Sequence, residues 1–401
     1  MNVLYHLAAF PTYSQTFVTN EIRELRNRGH EVAVFAHSSE DDVPEDLSDI
    51  DYHVAPPRSL SGVLTLSPSH FDPRLLRRRF RSLSPLRQAY AFYYAILELE
   101  FVSSLPYDVD HVHGHFLSTP QIPPSLVAGA LGVPHTVTAH AHDLYKFDHE
   151  PTRQHLYRHC DRIISISEYN RRFMTDEAAV DVDVDVIPAG FDADQYQPTD
   201  SHVPGRILTV ARHVPKKGIR YAIEAVAALD DPAIEYHVAS DGPLTPDLKA
   251  LATDLGVSEQ VEFLGRISDA QLRREYDEAH LFVLPCVVTE EGDRDGLPVA
   301  IKEAMAMQTP VVTTTVSGIP ELVSDDCGYL VPPRDVDALA EALSAGLSSD
   351  PAPFGARARE RVGAHDVEET TAQLLRSISE LQDAPASQRR EADEVTPRQQ
   401  R

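Results

Sequence analysis

Two acids and two cations stand at spacings that chemistry could use. The stretch "RDGLPVAIKEAMAMQTPVV", Arg294–Val312, sets Asp295 and Glu303 eight residues apart with Pro298 between them. Proline suits the first turn of a helix, where an N–H would lack a partner anyway, and "VAIKEAMAM" continues with good helix formers. Gly296 and Leu297 then form the loop entering that helix, whose unpaired N–H groups and positive dipole end favour an anion. Asp295 before the start and Glu303 more than a turn inside could grip hydroxyls on both sides of a diphosphate, a sugar on one and a ribose on the other. The plainer alternative is a buried helix behind an exposed acidic loop. Upstream, "TVARHVPKKGIRYAIEAV" puts Arg212 after a strand and Lys217-Gly218 five residues later at a helix start. A guanidinium fork and an ammonium point charge suit a pyrophosphate; the alternative is a solvated turn.

The elements that must position these groups alternate. "NVLYHLA", "HEVAVFA", "VDHVHGHF", "PHTVTAH" and "RIISIS" read as strands, and "SQTFVTNEIRELRNRG" as an amphipathic helix ended by Gly29. "GFDADQYQPTDSHVPG" (190–205) is irregular and reads as a linker. A second series follows: "RILTVAR", "GIRYAIEAVAAL", "IEYHVAS", "PDLKALATDLG", "VEFLG", "DAQLRREYDEA", "LFVLPC", then the acid-pair stretch, "PVVTTTV", "GYLVP" and the helix "VDALAEALSAGL". Strand–helix alternation twice over predicts an α/β chain of two doubly wound parallel-sheet domains. Ligands in such sheets bind outside the carboxyl ends of the strands, so the two domains are expected to face a cleft that holds the site. The predicted boundaries are 1–195, 196–351, a closing helix at 352–381 that crosses back to the first domain, and a polar, disordered tail at 382–401.

Composition excludes several classes. The chain has 401 residues, 42% hydrophobic and 24% charged, a globular composition long enough for two domains. Lys+Arg 36 against Asp+Glu 62 leaves −26, which repels nucleic-acid phosphates and excludes that partner. Only Lys146, Lys216, Lys217, Lys249 and Lys302 are lysine. Excess carboxylate with so little lysine points to a halophilic protein, since salt screens self-repulsion, and it singles out the adjacent pair at 216–217. Cys160, Cys286 and Cys327 show neither metal nor disulfide spacing, which fits a cytoplasmic setting. No run of about 18 apolar residues is present, and the start lacks a signal peptide's basic region and cleavage site.

Taken together, the motifs resemble the retaining glycosyltransferases of the GT-B fold, family 4. That family's hallmark is two acids separated by seven residues, then Glu-Ala-Met-Ala and a Gly-x-Pro-Glu turn, here "DGLPVAIKEAMAMQTPVVTTTVSGIPELV". "VIPAGFDADQYQP" is similar to its linker signature and "SDGPLTPDLKALATDLGVSEQVEFLGRIS" to its nucleotide-domain middle. "FPTYSQTFVTNEIRELRNRGHEV" resembles the amino-terminal signature of the colanic-acid and exopolysaccharide branch. The resemblance implies that Glu303 binds ribose hydroxyls and Asp295 donor-sugar hydroxyls, with Gly296, Leu297 and Pro298 shaping the sugar and phosphate pocket. Arg212 and Lys217 would hold the diphosphate as it leaves. His140 in "TAHAHD" would be the active-site histidine, with Asp143 close by. Asp295 stands where the family usually has glutamate, Ser240 where it has glycine, Ala189 where it has asparagine and Gln15 where it has glutamate.

The implied activity is hexosyl transfer, with retention, from a nucleotide diphosphate sugar to a glycan or lipid-linked acceptor in polysaccharide assembly, without cofactor or metal. A nucleotide-sugar epimerase and a noncatalytic nucleotide-sugar-binding protein remain the alternatives. His111, His113 and His115 share one strand face, but their spacing fits no standard zinc signature. "VDVDVDV" (Val180–Val186) reads as a strand with one acidic, solvated face. In 74–100, Arg74, Arg77, Arg78, Arg79, Arg81 and Arg87 could rest on the inner face of the membrane while Phe80, Tyr90, Phe92 and Tyr93 insert. The preferred alternative there is an arginine face on a core-packed helix.

Overall fold

The computed structural model describes residues 1–12, 15–40, 50, 52–56, 76, 79–81, 83–145, 150–178, 181–199 and 201–383. The chain divides into two compact units, one of Met1–Gly190 with the segment from Val367 onward, the other of Phe191–Asp366.

The first unit is built on β1 (Asn2–Leu7), β2 (Glu31–Ala36), β3 (Tyr52–Val54), β4 (His111–His115), β5 (His135–Ala139), β6 (Arg162–Ser165) and β7 (Val184–Val186). They form a seven-stranded sheet ordered β3-β2-β1-β4-β5-β6-β7, every pairing parallel. Strands covered on both faces read as apolar runs, and β1 is buried from Val3 onward. The helix Thr16–Asn27 buries Val18, Ile22 and Leu25 on one stripe against that sheet. The order reverses between β1 and β4, which makes the ends of those strands the expected ligand crevice.

The second unit repeats the plan with β8 (Val203–Val210), β9 (Glu235–Ala239), β10 (Val261–Gly265), β11 (Ala279–Leu284), β12 (Val311–Thr314) and β13 (Gly328–Val331). Their order is β10-β9-β8-β11-β12-β13, again parallel throughout. The switch lies between β8 and β11, immediately before the loops carrying Arg212–Lys217 and Asp295.

Several expectations are refined. The units part at Gly190/Phe191, where the sequence reading had 195/196. Within 352–381, the helix Pro351–Val362 stays with the second unit and only the helix Val367–Asp383 belongs to the first. That helix presents Val367, Thr370, Leu374 and Ile378 at helical spacing, and Leu374 and Ile378 pack on Ile164 and Ile187. Tail residues Gln382 and Asp383 end this helix; 384–401 lie outside the described residues. The acidic strand is shorter than Val180–Val186, and Asp185 is not simply solvated: it accepts from Arg162 at 3.0 Å and from the Ser377 hydroxyl at 2.6 Å.

The basic, aromatic stretch resolves into the helix Pro85–Ser103, capped by the Ser84 side chain. Phe80, Tyr90, Phe92 and Tyr93 are partly buried and pack against the first unit's core, the arrangement of a core-packed helix. Arg79 donates to the His159 carbonyl at 2.8 Å; Arg74, Arg77 and Arg78 lie outside the described residues. Among the described residues no helix is long and apolar enough to cross a membrane.

Candidate active site

In the second unit the chain leaves β8 through Ala211 and Arg212 and turns in a short 3-10 segment, Pro215–Lys217. Gly218 closes that turn at φ +67, and a Cβ there would meet the Pro285 carbonyl oxygen at 1.9 Å. Only glycine lets the lysine loop lie this close to the end of β11. The exit of β11 then runs to Asp295, and the helix Val299–Ala306 follows with Pro298 at its N-cap, one position earlier than the first-turn placement read from the sequence.

These two loops bring the expected groups together. Lys217 Nζ stands 2.8 Å from Asp295 Oδ2. Lys216 reaches Asp293 at 3.2 Å and Asp295 at 3.5 Å, and the Cys286 thiol donates to Asp295 Oδ2 at 3.5 Å. Burial alone would raise the Asp295 carboxyl, but the two lysines prevail and hold it below the usual carboxylate range. Burial likewise works against the Lys217 ammonium, and Asp295 overcomes it, so both stay charged. Arg212 is exposed and near enough for its charge to oppose that of Lys217. The Gly318 N–H donates to the Gly296 carbonyl at 3.1 Å, which fastens the "SGIPE" turn to the loop of Gly296, Leu297 and Pro298. The cluster can hold an anion with Arg212 and Lys217 while offering a carboxylate beside it. Asp293 and Cys286 were not read as site residues from the sequence, and Lys216 was marked there only by the scarcity of lysine.

Glu303 is a separate station on the same helix. Tyr196 donates to its Oε1 at 2.8 Å and Tyr276 to its Oε2 at 2.7 Å. Burial raises its carboxyl against the pull of those two hydrogen bonds. Each carboxylate oxygen retains a lone pair beyond the tyrosine it accepts, enough to take sugar hydroxyls. The tyrosines come from the linker and from the helix Asp269–Glu278, and nothing in their spacing to Glu303 announced the contact.

His140 and Asp143 lie in the first unit, just after β5. Asp143 accepts the backbone N–H of His140 at 2.9 Å and that of Leu117 at 2.5 Å. Its carboxyl is nevertheless pushed up to about 7 by burial. The His140 ring lies 4.9 Å from Phe17 and 4.5 Å from Phe116, centroid to centroid, and its Nε2 is 3.1 Å from His115 Nδ1.

The strand histidines do not line a cleft as a row. His111 Nε2 and His113 Nδ1 both meet the Thr136 hydroxyl at 2.7 Å inside the core. Among the described residues, Glu21, His113 and His115 bring potential metal-ligand atoms within 4.8 Å of one another. The same atoms are engaged by protein: Glu21 Oε1 accepts from Tyr5 at 2.7 Å and meets His115 Nε2 at 3.1 Å, while His113 Nε2 meets the Thr138 hydroxyl at 3.2 Å.

Comparison with known proteins finds one family and one fold. Residues 14–195 match the "Glycosyltransferase Family 4" model and 204–349 the "Glycosyl transferases group 1" model. A protein of Escherichia coli provisionally named as a colanic acid biosynthesis glycosyltransferase is 30% identical over 395 residues, covering 90% of this chain and 95% of its own. The amylovoran biosynthesis glycosyltransferase of Erwinia amylovora is 41% identical over 145 residues, 35% of this chain and 36% of its own. The fold is that of a glycosyltransferase from Rickettsia africae (TM-score 0.74, 17% identity, 96% of this chain and 99% of that one). It is also that of the Anabaena protein HepE, solved in complex with UDP-glucose (TM-score 0.72, 17% identity, 95% and 100%).

Proposed function

The chain belongs to the group 1 and family 4 glycosyltransferases and is a hexosyltransferase; from that premise we propose that it moves a hexose from a nucleotide diphosphate sugar, with retention, to a glycan or lipid-linked acceptor in polysaccharide assembly. The observation that carries the donor half is the gathering of Lys217, Lys216 and Asp295 at the switch between β8 and β11, beside Arg212. On a chain of net charge −26 an anionic substrate needs such a local reversal of sign.

In this reading Arg212 and Lys217 hold the diphosphate and stabilise the charge that develops as it departs, a role that needs no metal or other cofactor. Asp295, with Gly296, Leu297 and Pro298, takes the donor sugar, and Glu303 takes the ribose. The second unit is the donor half and the first the acceptor half, with His140 as the first unit's contribution to turnover. The named activities of the colanic acid and amylovoran relatives support an acceptor within a growing polysaccharide. The carboxylate excess supports a halophilic protein, and three free cysteines support a cytoplasmic setting, with any contact at the membrane peripheral.

The test is a thermal-shift and nucleotide-release screen of UDP-, GDP- and ADP-sugars in molar and in low salt. Stabilisation by one nucleotide family with slow release of that nucleotide supports the proposal. No response to any donor from a demonstrably folded protein overturns it; stabilisation without nucleotide release would favour a noncatalytic binding protein, and an isomerised sugar formed without acceptor would favour an epimerase.

A further inference from the structure

We propose that Arg359 is a positioning residue for Glu303, acting through Tyr196; this rests on the reading of Glu303 as the acid that takes the ribose. Arg359 Nη1 donates to the Tyr196 carbonyl at 2.7 Å and also to the Ala306 carbonyl, and Nη2 donates to the Gln197 side-chain oxygen at 3.4 Å. The hydroxyl of the same Tyr196 donates to Glu303 Oε1 at 2.8 Å. One residue therefore separates the guanidinium from the carboxylate. Burial and the Glu303 carboxylate raise the Tyr196 phenol well above its ordinary value, so it stays protonated and remains a donor at neutral pH.

The last carbonyls of a helix have no partner within it, and a cation there also meets the negative end of the dipole. Arg359 fills that place for the helix Val299–Ala306, whose other end follows the Asp295 loop. It comes from the helix Pro351–Val362, which packs on that helix, and all of these residues belong to the second unit. A guanidinium presents its donors in one rigid plane, so a single side chain ties the helix end to the linker. Tyr196 needs such an anchor more than Tyr276 does. The backbone of Tyr276 is fixed within the helix Asp269–Glu278, whereas Tyr196 follows a single 3-10 turn, Ala193–Gln195, in the irregular linker. A carboxylate turns easily about its last torsion, so the two phenols decide where its remaining lone pairs point. Glu303 and Tyr196 are both only partly buried, which leaves this station open to a ligand's hydroxyls.

The experiment titrates the full chain calorimetrically with UDP, GDP and ADP and with their 2′,3′-dideoxy counterparts. In the wild type, the nucleotide that binds should lose roughly 10- to 100-fold in affinity when both hydroxyls are removed, and Glu303→Ala should abolish that difference. Arg359→Met should shrink the difference by roughly 3- to 10-fold while binding of the dideoxy compound changes by less than about twofold. An arginine with a structural role alone would weaken both compounds alike. Tyr196→Phe, which leaves the Arg359 bonds in place, should shrink the difference as much as Arg359→Met. Arg359→Lys, which keeps the charge and loses the rigid fork, should shrink it partway and should add nothing to Tyr196→Phe. Those last two variants decide the matter if Arg359→Met does not fold. An undiminished difference in Arg359→Met, or additive losses in the double variant, overturns the proposal while the ribose reading stands. A wild type that binds none of the three nucleotides, or is indifferent to their hydroxyls, removes the ribose reading and this proposal with it.

Discussion

Lys217 Nζ and Asp295 Oδ2 lie 2.8 Å apart, so the cation assigned to a diphosphate is paired with the acid assigned to a sugar. Asp295 also faces Lys216, and this one carboxylate offsets much of the positive charge that would draw an anion. Removing it should separate the two roles. Asp295→Ala is expected to lower turnover by roughly 100-fold or more, because the sugar loses a partner in the transition state. Binding of the bare nucleoside diphosphate should be unchanged or tighter, since Lys217 is released from its pair while Lys216 keeps Asp293. Lys217→Ala should instead weaken the nucleoside diphosphate. Calorimetric titration with kcat measurement checks both, and equal weakening of nucleotide by the two variants would contradict the division of labour.

Glu303 accepts from Tyr196 and Tyr276 on its two oxygens. Glu303→Ala is expected to weaken donor binding by about 10- to 100-fold, the range for losing charged hydrogen bonds to a ligand. It also leaves the Tyr196 hydroxyl without this acceptor and the Tyr276 hydroxyl with only the Ala300 carbonyl at 3.3 Å, so Tm should fall too. Tyr276→Phe keeps the carboxylate and should cost about 1–2 kcal/mol of stability with a much smaller loss of donor affinity. A donor affinity indifferent to Glu303→Ala would remove the ribose role.

Gly218 and Gly132 both have positive φ, yet only one has a neighbour in the way. A Cβ at Gly218 would strike the Pro285 carbonyl oxygen at 1.9 Å, whereas nothing lies within 4 Å of one at Gly132. Gly132→Ala, at the end of the helix Ile122–Leu131, should cost about 1 kcal/mol, the left-handed penalty alone. Gly218→Ala should cost several times that figure and abolish donor binding, because the lysine loop must move off β11. Chemical denaturation curves of the two variants side by side test this, and similar midpoints would count against the packing argument.

The alternation of strands and helices was legible because each element carries its own period and its own end signal, from the Val18–Ile22–Leu25 stripe to the Gly29 stop. The donor cluster was legible in part for a different reason. Arg212, Lys217, Asp295 and Glu303 sit on the loops and the helix that follow β8 and β11, and lysine is scarce elsewhere. The partners that tune those groups were not legible. Tyr196 reaches Glu303 from the linker before β8, a relationship no local spacing encodes, while Cys286 meets Asp295 through a fold in the loop that leaves β11. Glu21 was hidden in the same way, reading in the sequence as one polar position of an amphipathic helix. The aromatic run after Arg79 read two ways, because insertion into a membrane and burial in a core demand the same residue types.

Ser240 is the one departure from the family pattern that the backbone registers directly. It has φ +90, a conformation that side chains rarely adopt, and its N–H donates to Gly265 at 2.7 Å. A Cβ in that region costs about 1–2 kcal/mol, while a glycine costs about 0.5–1 kcal/mol in unfolded-state entropy. Ser240→Gly is therefore expected to stabilise the second unit by a few tenths to about 1 kcal/mol, read as a higher denaturation midpoint. A lower midpoint would mean that the serine side chain makes up for its backbone.

The first unit buries five histidines whose charged form is disfavoured, and this should make it acid-sensitive. His6, His113 and His155 are each pushed down to about 3 by burial, and His111 and His135 well below their usual value. In the unfolded chain all five would protonate near 6.5. Two acids oppose them: burial lifts Asp143 to about 7 and Glu98 well above its usual value. Near pH 5 the unfolded state therefore binds five protons on the histidines against two on these acids in the folded state, a difference of three. A depressed histidine contributes stability that is present above its unfolded pKa and is lost as pH falls toward the folded one. A raised acid does the reverse, so the net sign is loss on acidification, by about 4 kcal/mol per pH unit below about pH 6. Acid titration followed by circular dichroism should show a cooperative loss of structure between neutrality and pH 4. His155→Phe, which retains a buried ring and removes one of the five protons, should move the midpoint to lower pH. A stability that stays flat from pH 7 to pH 5 would show that the unfolded chain gains no such excess of protons.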